Sequence, residues 1–275
     1  MRPTDRPQVA TRPGQMPDWR ALAGPLAART RGAGRRLVFV HGFTQTGRSW
    51  ERVAEHFAAV GGTHRHEVVL VDLPGHGGSG AIRADLRRAA DLIASTTGEA
   101  TYVGYSLGGR VCLHLALMYP HIVERLVLLG ATPGIVDDDE RALRRQSDDL
   151  LAQRILEIGV DAFLEEWSAL PLFHGLELDA DEIADRRRNT AAGLADSLRL
   201  CGTGTQLSLW ERLVELNMPV LAMAGALDTK FVPIAERIAT SVPDGSFGVI
   251  HDAGHAAHLQ QPMQVITRLE AFLRR

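Results

Sequence analysis

Residues 104–108 read Gly-Tyr-Ser-Leu-Gly, after an apolar run ending at Tyr102 and Val103 and before a helix-like stretch at 111–118. In strand–turn–helix context this G-x-S-x-G segment is a sharp turn that lifts the Ser106 hydroxyl above the C-terminal edge of a parallel sheet. A serine hydroxyl is weakly acidic and needs a neighbouring base. His255, in Asp-Ala-Gly-His after the apolar run 247–250, can take its proton. Asp228, just past the apolar run 220–224, can fix the imidazole tautomer and stabilise its charged form. The G-x-S-x-G motif alone is weak, and its bland alternative is a turn serine with an unrelated loop histidine. Three residues in the order Ser, Asp, His, each following a predicted strand, favour the catalytic reading.

Rivals exist for two of the three roles. His251 would close the last strand and His258 would open the next helix, whereas His255 follows Ala-Gly in the turn between them. Read together the three histidines suggest a metal cluster, but no carboxylate falls in register with them and no metal is expected. Asp72, in Asp-Leu-Pro-Gly-His-Gly, ends an earlier strand and is a rival acid; its bland reading is a turn-capping aspartate.

His41-Gly42-Phe43 follows the predicted strand 37–40. Gly42 allows the bend that points the Phe43 N–H inward. Paired with the Leu107 N–H at a helix start, it would make an oxyanion hole. Arg110 lies four residues after Ser106, in the first helical turn, where a cation opposes the helix dipole. It either snorkels to solvent or binds a substrate carboxylate, and the second reading is preferred. Tyr105 and His41, which flank the serine turn and the bend, join the substrate-binding candidates.

The elements that must position these residues follow from the pattern. Short continuous apolar runs at 37–40, 68–71, 101–103, 126–129, 220–224 and 247–250 alternate with helical stretches at 50–60, 86–94, 111–118, 233–240 and 263–273. That alternation predicts an α/β fold with a mostly parallel sheet covered on both faces. Between about 137 and 206 it stops, and the chain reads as charged helix. A helical lid is therefore expected after the strand that follows the serine-bearing helix, over the sheet edge where ligands bind. Arg141 and Arg145 share a helical face, with Arg144 beside them, and Arg186, Arg187 and Arg188 form a second cluster. One arginine from each cluster, taken as Arg141 and Arg188, is expected to face the pocket. Trp167 and Phe173 either line it or fill the lid core.

Residues 1–34, with five prolines and several arginines, read as a mobile accessory tail, in which Trp19 and Leu22 could dock on the body or form an edge strand. The domain proper is expected over 35–275. A net charge of −3 gives no footprint for nucleic acid. No apolar run is long enough for a membrane span or a signal peptide, and two cysteines, Cys112 and Cys201, suit a reducing cytoplasm.

His-Gly-Phe-Thr at 41–44, Asp-Leu-Pro-Gly-His-Gly at 72–77 and Gly-Tyr-Ser-Leu-Gly-Gly-Arg at 104–110 resemble the α/β-hydrolase-fold enzymes of menaquinone biosynthesis. So do Leu-Cys-Gly-Thr-Gly-Thr-Gln at 200–206 and Ala-Gly-Ala-Leu-Asp-Thr-Lys-Phe at 224–231. The family is 2-succinyl-6-hydroxy-2,4-cyclohexadiene-1-carboxylate synthase. The resemblance runs from about Leu37 to the C-terminus, and its last three motifs are the more specific. It implies elimination of pyruvate from 2-succinyl-5-enolpyruvyl-6-hydroxy-3-cyclohexene-1-carboxylate, with the triad serine as a base. It also implies Arg110 and lid arginines on a polyanionic substrate, no cofactor and no obligate protein partner.

Two other readings use the same residues. A carboxylesterase or C–C bond hydrolase needs the same triad and oxyanion hole, since fold and triad do not fix the reaction. Arg110 discriminates, because an esterase with an apolar acyl pocket has no need of it. A ligand-binding module that keeps the turn would show negligible turnover and a ligand-dependent partner.

Overall fold

The computed structural model describes residues 18–58 and 66–275. Eight strands form one sheet: β1 (Arg20–Leu22), β2 (Ala28–Gly32), β3 (Arg35–Val40), β4 (His66–Val71), β5 (Ala100–Tyr105), β6 (Val123–Leu129), β7 (Val220–Gly225) and β8 (Gly245–Ile250). Their spatial order is β1-β2-β4-β3-β5-β6-β7-β8. β1 and β2 pair antiparallel, as do β2 and β4; every other pairing is parallel.

The apolar strands are continuous because both faces are covered. Val38, Val40, Val69, Val71, Leu126 and Leu128 face one way. They meet Ala89 and Ile93 of α2 (Leu86–Thr97), Val111 and Leu115 of α3 (Leu107–Met118), and Ala235 and Ile238 of a third helix, Phe231–Ser241. The alternate residues Leu37, Phe39, Val68, Leu70, Val103 and Val127 face the other way. There they meet Val53 and Phe57 of α1 (Glu51–Ala58) and Val265 and Leu269 of the C-terminal helix, Pro262–Leu273. The strand period of two thus splits the core into two layers.

Between β6 and β7 lie α4 (Asp138–Ser168), α5 (Ala180–Arg186) and α6 (Ala191–Cys201). α4 is bent at Gly159, whose φ of 77° and ψ of 175° break the helical path. Phe163 of α4 and Leu194 and Leu198 of α6 form a small core of their own. The remaining helices are α7 (Phe231–Ser241), the short α8 (Ala257–Gln260) and α9 (Pro262–Leu273). No helix among the described residues is long and apolar enough to cross a membrane.

One boundary needs correction. The expected tail extends to residue 34, yet β1 and β2 belong to the sheet, and the domain begins near residue 20. Every residue of β2 pairs with β4, and the Thr30 hydroxyl donates to the Val68 carbonyl at 3.0 Å. Arg31 pairs with Glu55 of α1 at 2.7 Å, and the Arg29 guanidinium stacks 4.9 Å above Trp19. Arg29 and Arg31, two of the arginines that suggested a tail, fasten this edge. Residues 1–17, the remainder of the expected tail, lie outside the described residues.

Candidate active site

Strand register brings the chemistry together. Val40 at the end of β3 is level with Gly104 of β5, and Tyr105 is level with Leu129 of β6. The loops after β3 and β5 therefore leave the sheet side by side. Gly225 of β7 is level with Ile250 of β8, so the loops carrying Asp228 and His255 also emerge together.

Ser106 sits at φ 51° and ψ −110°, a left-handed conformation that side chains rarely adopt. Its amide donates to Leu129 O at 2.9 Å, which fixes the turn to the neighbouring strand. The flanking glycines are steric necessities. A Cβ on Gly104 would meet the Gly108 carbonyl at 2.6 Å, and one on Gly108 would meet the Val40 carbonyl at 2.3 Å.

His255 is 4% exposed, with Nδ1 2.6 Å from Asp228 Oδ2 and Nε2 3.1 Å from Ser106 Oγ. An ionised carboxylate only accepts, so Nδ1 carries the proton and Nε2 is left to accept from the serine hydroxyl. The ring is held by Phe231 at 4.7 Å and Tyr105 at 5.3 Å between centroids. The three histidines do not converge as a metal cluster would. His251 is exposed, and His258 is buried between the rings of Trp50 and Tyr105, each 4.4 Å away. Asp72 is engaged elsewhere: its two oxygens accept from the Gly47 and Gly78 amides at 2.9 and 2.8 Å, tying two loops together.

A cavity of about 140 Å³ opens at Ser106. Phe43, Leu107, Tyr105, Arg110, Trp167 and Phe173 all line it. Among the described residues, neither the Phe43 nor the Leu107 amide donates to a backbone acceptor in a turn or loop. Trp167 packs edge-on to Phe43 at 5.2 Å and also 5.6 Å from Phe173, so both lid aromatics serve the cavity wall.

Arg110 is 8% exposed and enters no ion pair among the described residues. Its one side-chain hydrogen bond runs from Nη1 to Gln206 Oε1 at 3.3 Å. Burial pulls the guanidinium down to about 10, partly offset by Cys201, which leaves it charged at neutral pH. A buried guanidinium without a carboxylate partner, opening on a cavity, is a costly arrangement unless an anion completes it.

Three expected substrate contacts lie elsewhere. His41 is fully buried, with Nδ1 donating to the Gly42 carbonyl at 2.7 Å and Nε2 accepting from the Leu73 amide at 3.0 Å. Both ring nitrogens are used in holding the bend, and none is left for a ligand. Arg141 pairs with Asp138 at 2.7 Å, one turn back on its own helix. Arg188 pairs with Asp185 at 2.9 Å and faces Asp72 at 3.8 Å, lining a different cavity with Arg48. From the first lid cluster it is Arg144 that reaches the serine cavity; from the second, none does, and Arg186 is buried beneath the β3 loop, donating to Thr44 Oγ1 at 2.7 Å. Sequence reasoning also passed over Thr132, Leu172, Thr203, Lys230 and Phe231 as wall residues. Thr203 and Lys230-Phe231 sit in the Gly-Thr-Gly-Thr-Gln and Asp-Thr-Lys-Phe segments, two of the motifs that carry the resemblance.

Comparison with known proteins agrees with this fold. The family model described as alpha/beta hydrolase fold matches residues 35–262. The 2-succinyl-6-hydroxy-2,4-cyclohexadiene-1-carboxylate synthase of Salmonella newport (strain SL254) is 35% identical over 246 residues, 86% of this chain and 93% of the relative. The structure of MenH from S. aureus superposes with a TM-score of 0.80 at 31% identity, covering 90% of this chain and 97% of that one. A thermophilic esterase from Thermogutta terrifontis, at 23% identity and a TM-score of 0.74 over 94% of this chain and 98% of its own, shares the fold. The chain belongs to the α/β-hydrolase fold and, within it, to the 2-succinyl-6-hydroxy-2,4-cyclohexadiene-1-carboxylate synthase family.

Proposed function

We propose that Ser106, with His255 and Asp228, is the base of an elimination that releases pyruvate from 2-succinyl-5-enolpyruvyl-6-hydroxy-3-cyclohexene-1-carboxylate. The product is 2-succinyl-6-hydroxy-2,4-cyclohexadiene-1-carboxylate. The observation that carries the reading is Arg110: a buried cation with no protein anion, beside the reactive hydroxyl, suits a substrate rich in carboxylates. Membership of the family supplies the reaction.

The ring numbering dictates the electron flow. The hydrogen on C2 is acidified by the succinyl carbonyl. Ser106 Oγ takes it while His255 Nε2 takes the serine proton, and Asp228 stabilises the imidazolium. The released pair forms the C2=C3 bond, the ring alkene moves to C4=C5, and the C5–O bond breaks. Enolate character on the succinyl oxygen falls to the Phe43 and Leu107 amides. The enolpyruvate takes a proton from water and becomes pyruvate; the hydroxide left behind is neutralised by the proton that His255 gives up to solvent. Atoms and charge balance with substrate, water and these side chains, so no metal or organic cofactor enters. Two buried free thiols, Cys112 and Cys201, fit a cytoplasmic location.

The test is pyruvate release from the cyclohexene substrate, run beside a panel of p-nitrophenyl esters. Efficient ester turnover with no pyruvate release would replace the elimination with esterase chemistry.

A further inference from the structure

Lys230 is the only lysine in the chain, beside 29 arginines. It stands two residues after Asp228, at the N-terminal boundary of α7. Its charge opposes the α7 dipole, and its side chain makes no capping hydrogen bond. It enters no ion pair among the described residues; its ammonium lies 5.8 Å from the Phe231 ring. Nothing in the fold requires a cation there.

The site has a second compartment. A cavity of about 800 Å³ adjoins the smaller one at Ser106. Thr132, Arg144, Thr203, Lys230 and Phe231 line both, so they form the passage between them. Arg144 is already paired with Asp148 at 2.8 Å, which leaves Lys230 as the uncommitted charge in that passage. Farther out, Arg237 stacks 3.9 Å over Trp210. Asp137, Asp138 and Glu140 stand on the outer rim. Asp138 pairs with Arg141 at 2.7 Å and Asp137 accepts from the Glu140 amide at 2.8 Å, while the Glu140 carboxylate lies out on the rim, beyond the passage residues.

We propose that the outer cavity is the leaving-group compartment of the elimination, and that Lys230 binds the carboxylate of the departing three-carbon 2-oxo acid. The inference rests on the reaction proposed above. C2 and C5 are opposite corners of a six-membered ring. With the C2 hydrogen at Ser106, the C5 oxygen points to the far side, away from the triad and toward the passage. An ammonium there meets the carboxylate and the negative charge that grows on the enolate oxygen as C5–O breaks. Residue type fits the task. Arg110, a planar fork, suits a group that stays; a lysine, with a compact charge and three swivelling donors, suits one that must be let go. Protons balance as before, since the enolate is protonated by water in the open compartment.

A single ε-amine also makes a clean reporter. Reductive methylation with ¹³C-formaldehyde retains its positive charge and gives one dimethyl-lysine resonance. Titration with pyruvate should move that resonance, and titration with uncharged methyl pyruvate should not. By calorimetry, Lys230→Met should weaken pyruvate binding roughly tenfold, the size of one charge pair at a partly open wall. Lys230→Arg should restore binding, and in steady-state turnover it should release pyruvate more slowly. Lys230→Gln and a melting curve guard against misfolding, although an exposed position at a helix start makes that a minor concern. Pyruvate release by the wild type together with unchanged pyruvate affinity in Lys230→Met would overturn this role alone. No pyruvate release by the wild type would overturn the elimination, and this role with it.

Discussion

Asn189 clamps Thr44 across 145 residues of sequence: its side-chain amide donates to the Thr44 carbonyl at 2.8 Å. Its carbonyl oxygen accepts from the Gly77 amide at 2.8 Å, so one side chain joins the inserted helices to two loops of the sheet. Thr46 Oγ1 adds a 2.6 Å bond to Asp185. Thr44 follows Phe43 directly and sits at φ 67°, a strained value for a β-branched residue that its surroundings must enforce. The helices after β6 thus hold the backbone that presents the Phe43 amide.

Replacing Asn189 by Ala should therefore act on turnover as well as stability. The buried Thr44 carbonyl loses its side-chain partner, at about 1–3 kcal/mol, and the part-buried Gly77 amide loses its own at a smaller cost, so the melting temperature falls. A shifted Phe43 amide should lower kcat about tenfold or more, with KM changing less. A lower melting temperature with unchanged kcat would reduce Asn189 to a purely structural tie.

Ser106→Ala should keep the fold and lose at least about 10³-fold in pyruvate release, as triads do when one member is removed. His255→Ala and Asp228→Asn should be severe too, and combined losses should fall far short of the product of the single ones. Asp72→Asn should instead show itself in stability, because its oxygens accept from Gly47 and Gly78. A greater kinetic loss for Asp72→Asn than for Asp228→Asn would move the acid to the earlier strand.

The contrast between Ser106 and His41 shows what a sequence exposes. Ser106, Asp228 and His255 each follow an apolar strand, and parallel strands end on one edge, so chain order alone implies that they meet. His41 also follows a strand, but its role depends on the Leu73 amide, which only the strand order β4-β3-β5 places beside it. The arginines were harder still. Arg141, Arg144 and Arg145 lie within one helical turn or so, and which of them faces the cavity is set by tertiary packing of α4 against α6, which no local pattern encodes. β2 was hidden for a related reason. Its Ala-Arg-Thr-Arg-Gly has no apolar alternation, because Arg29 and Arg31 find Glu51 and Glu55 on α1.

Acid should destabilise the fold through its buried histidines, His76 and His258 among them. Burial holds His76 down to about 3, and burial together with Arg186 holds His258 well below its ordinary value. Unfolded histidine binds a proton near 6.5. Below that pH the unfolded chain binds more protons than the native one, so stability falls as pH drops, by up to about 1.4 kcal/mol per unit for each fully buried histidine. For His76 the loss ends near pH 3. Urea midpoints between pH 7.5 and 5 should show the slope. His258→Phe, which fits between Trp50 and Tyr105, should flatten it. An identical slope in that variant would mean that His258 does not resist protonation.

Arg110 separates an elimination on a polyanion from generic ester hydrolysis. Replacing it with Met keeps most of the side-chain volume and removes the charge. A charge-assisted contact in a desolvated pocket is worth roughly 2–5 kcal/mol when truncated. kcat/KM for the cyclohexene substrate should then fall on the order of 30-fold to several thousand-fold. Arg110→Lys should recover only part, because a point charge cannot reproduce the fork that also reaches Gln206. Because burial brings the guanidinium down to about 10, the wild type should lose substrate affinity as pH rises past that value, and KM should climb in alkaline buffer. Hydrolysis of a small neutral ester needs the triad and the oxyanion amides but no carboxylate anchor, so it should fall far less. The deciding quantity is the ratio of pyruvate release to neutral-ester hydrolysis in wild type and Arg110→Met. A ratio that does not move would make Arg110 a packing residue and remove the main structural support for a carboxylated substrate.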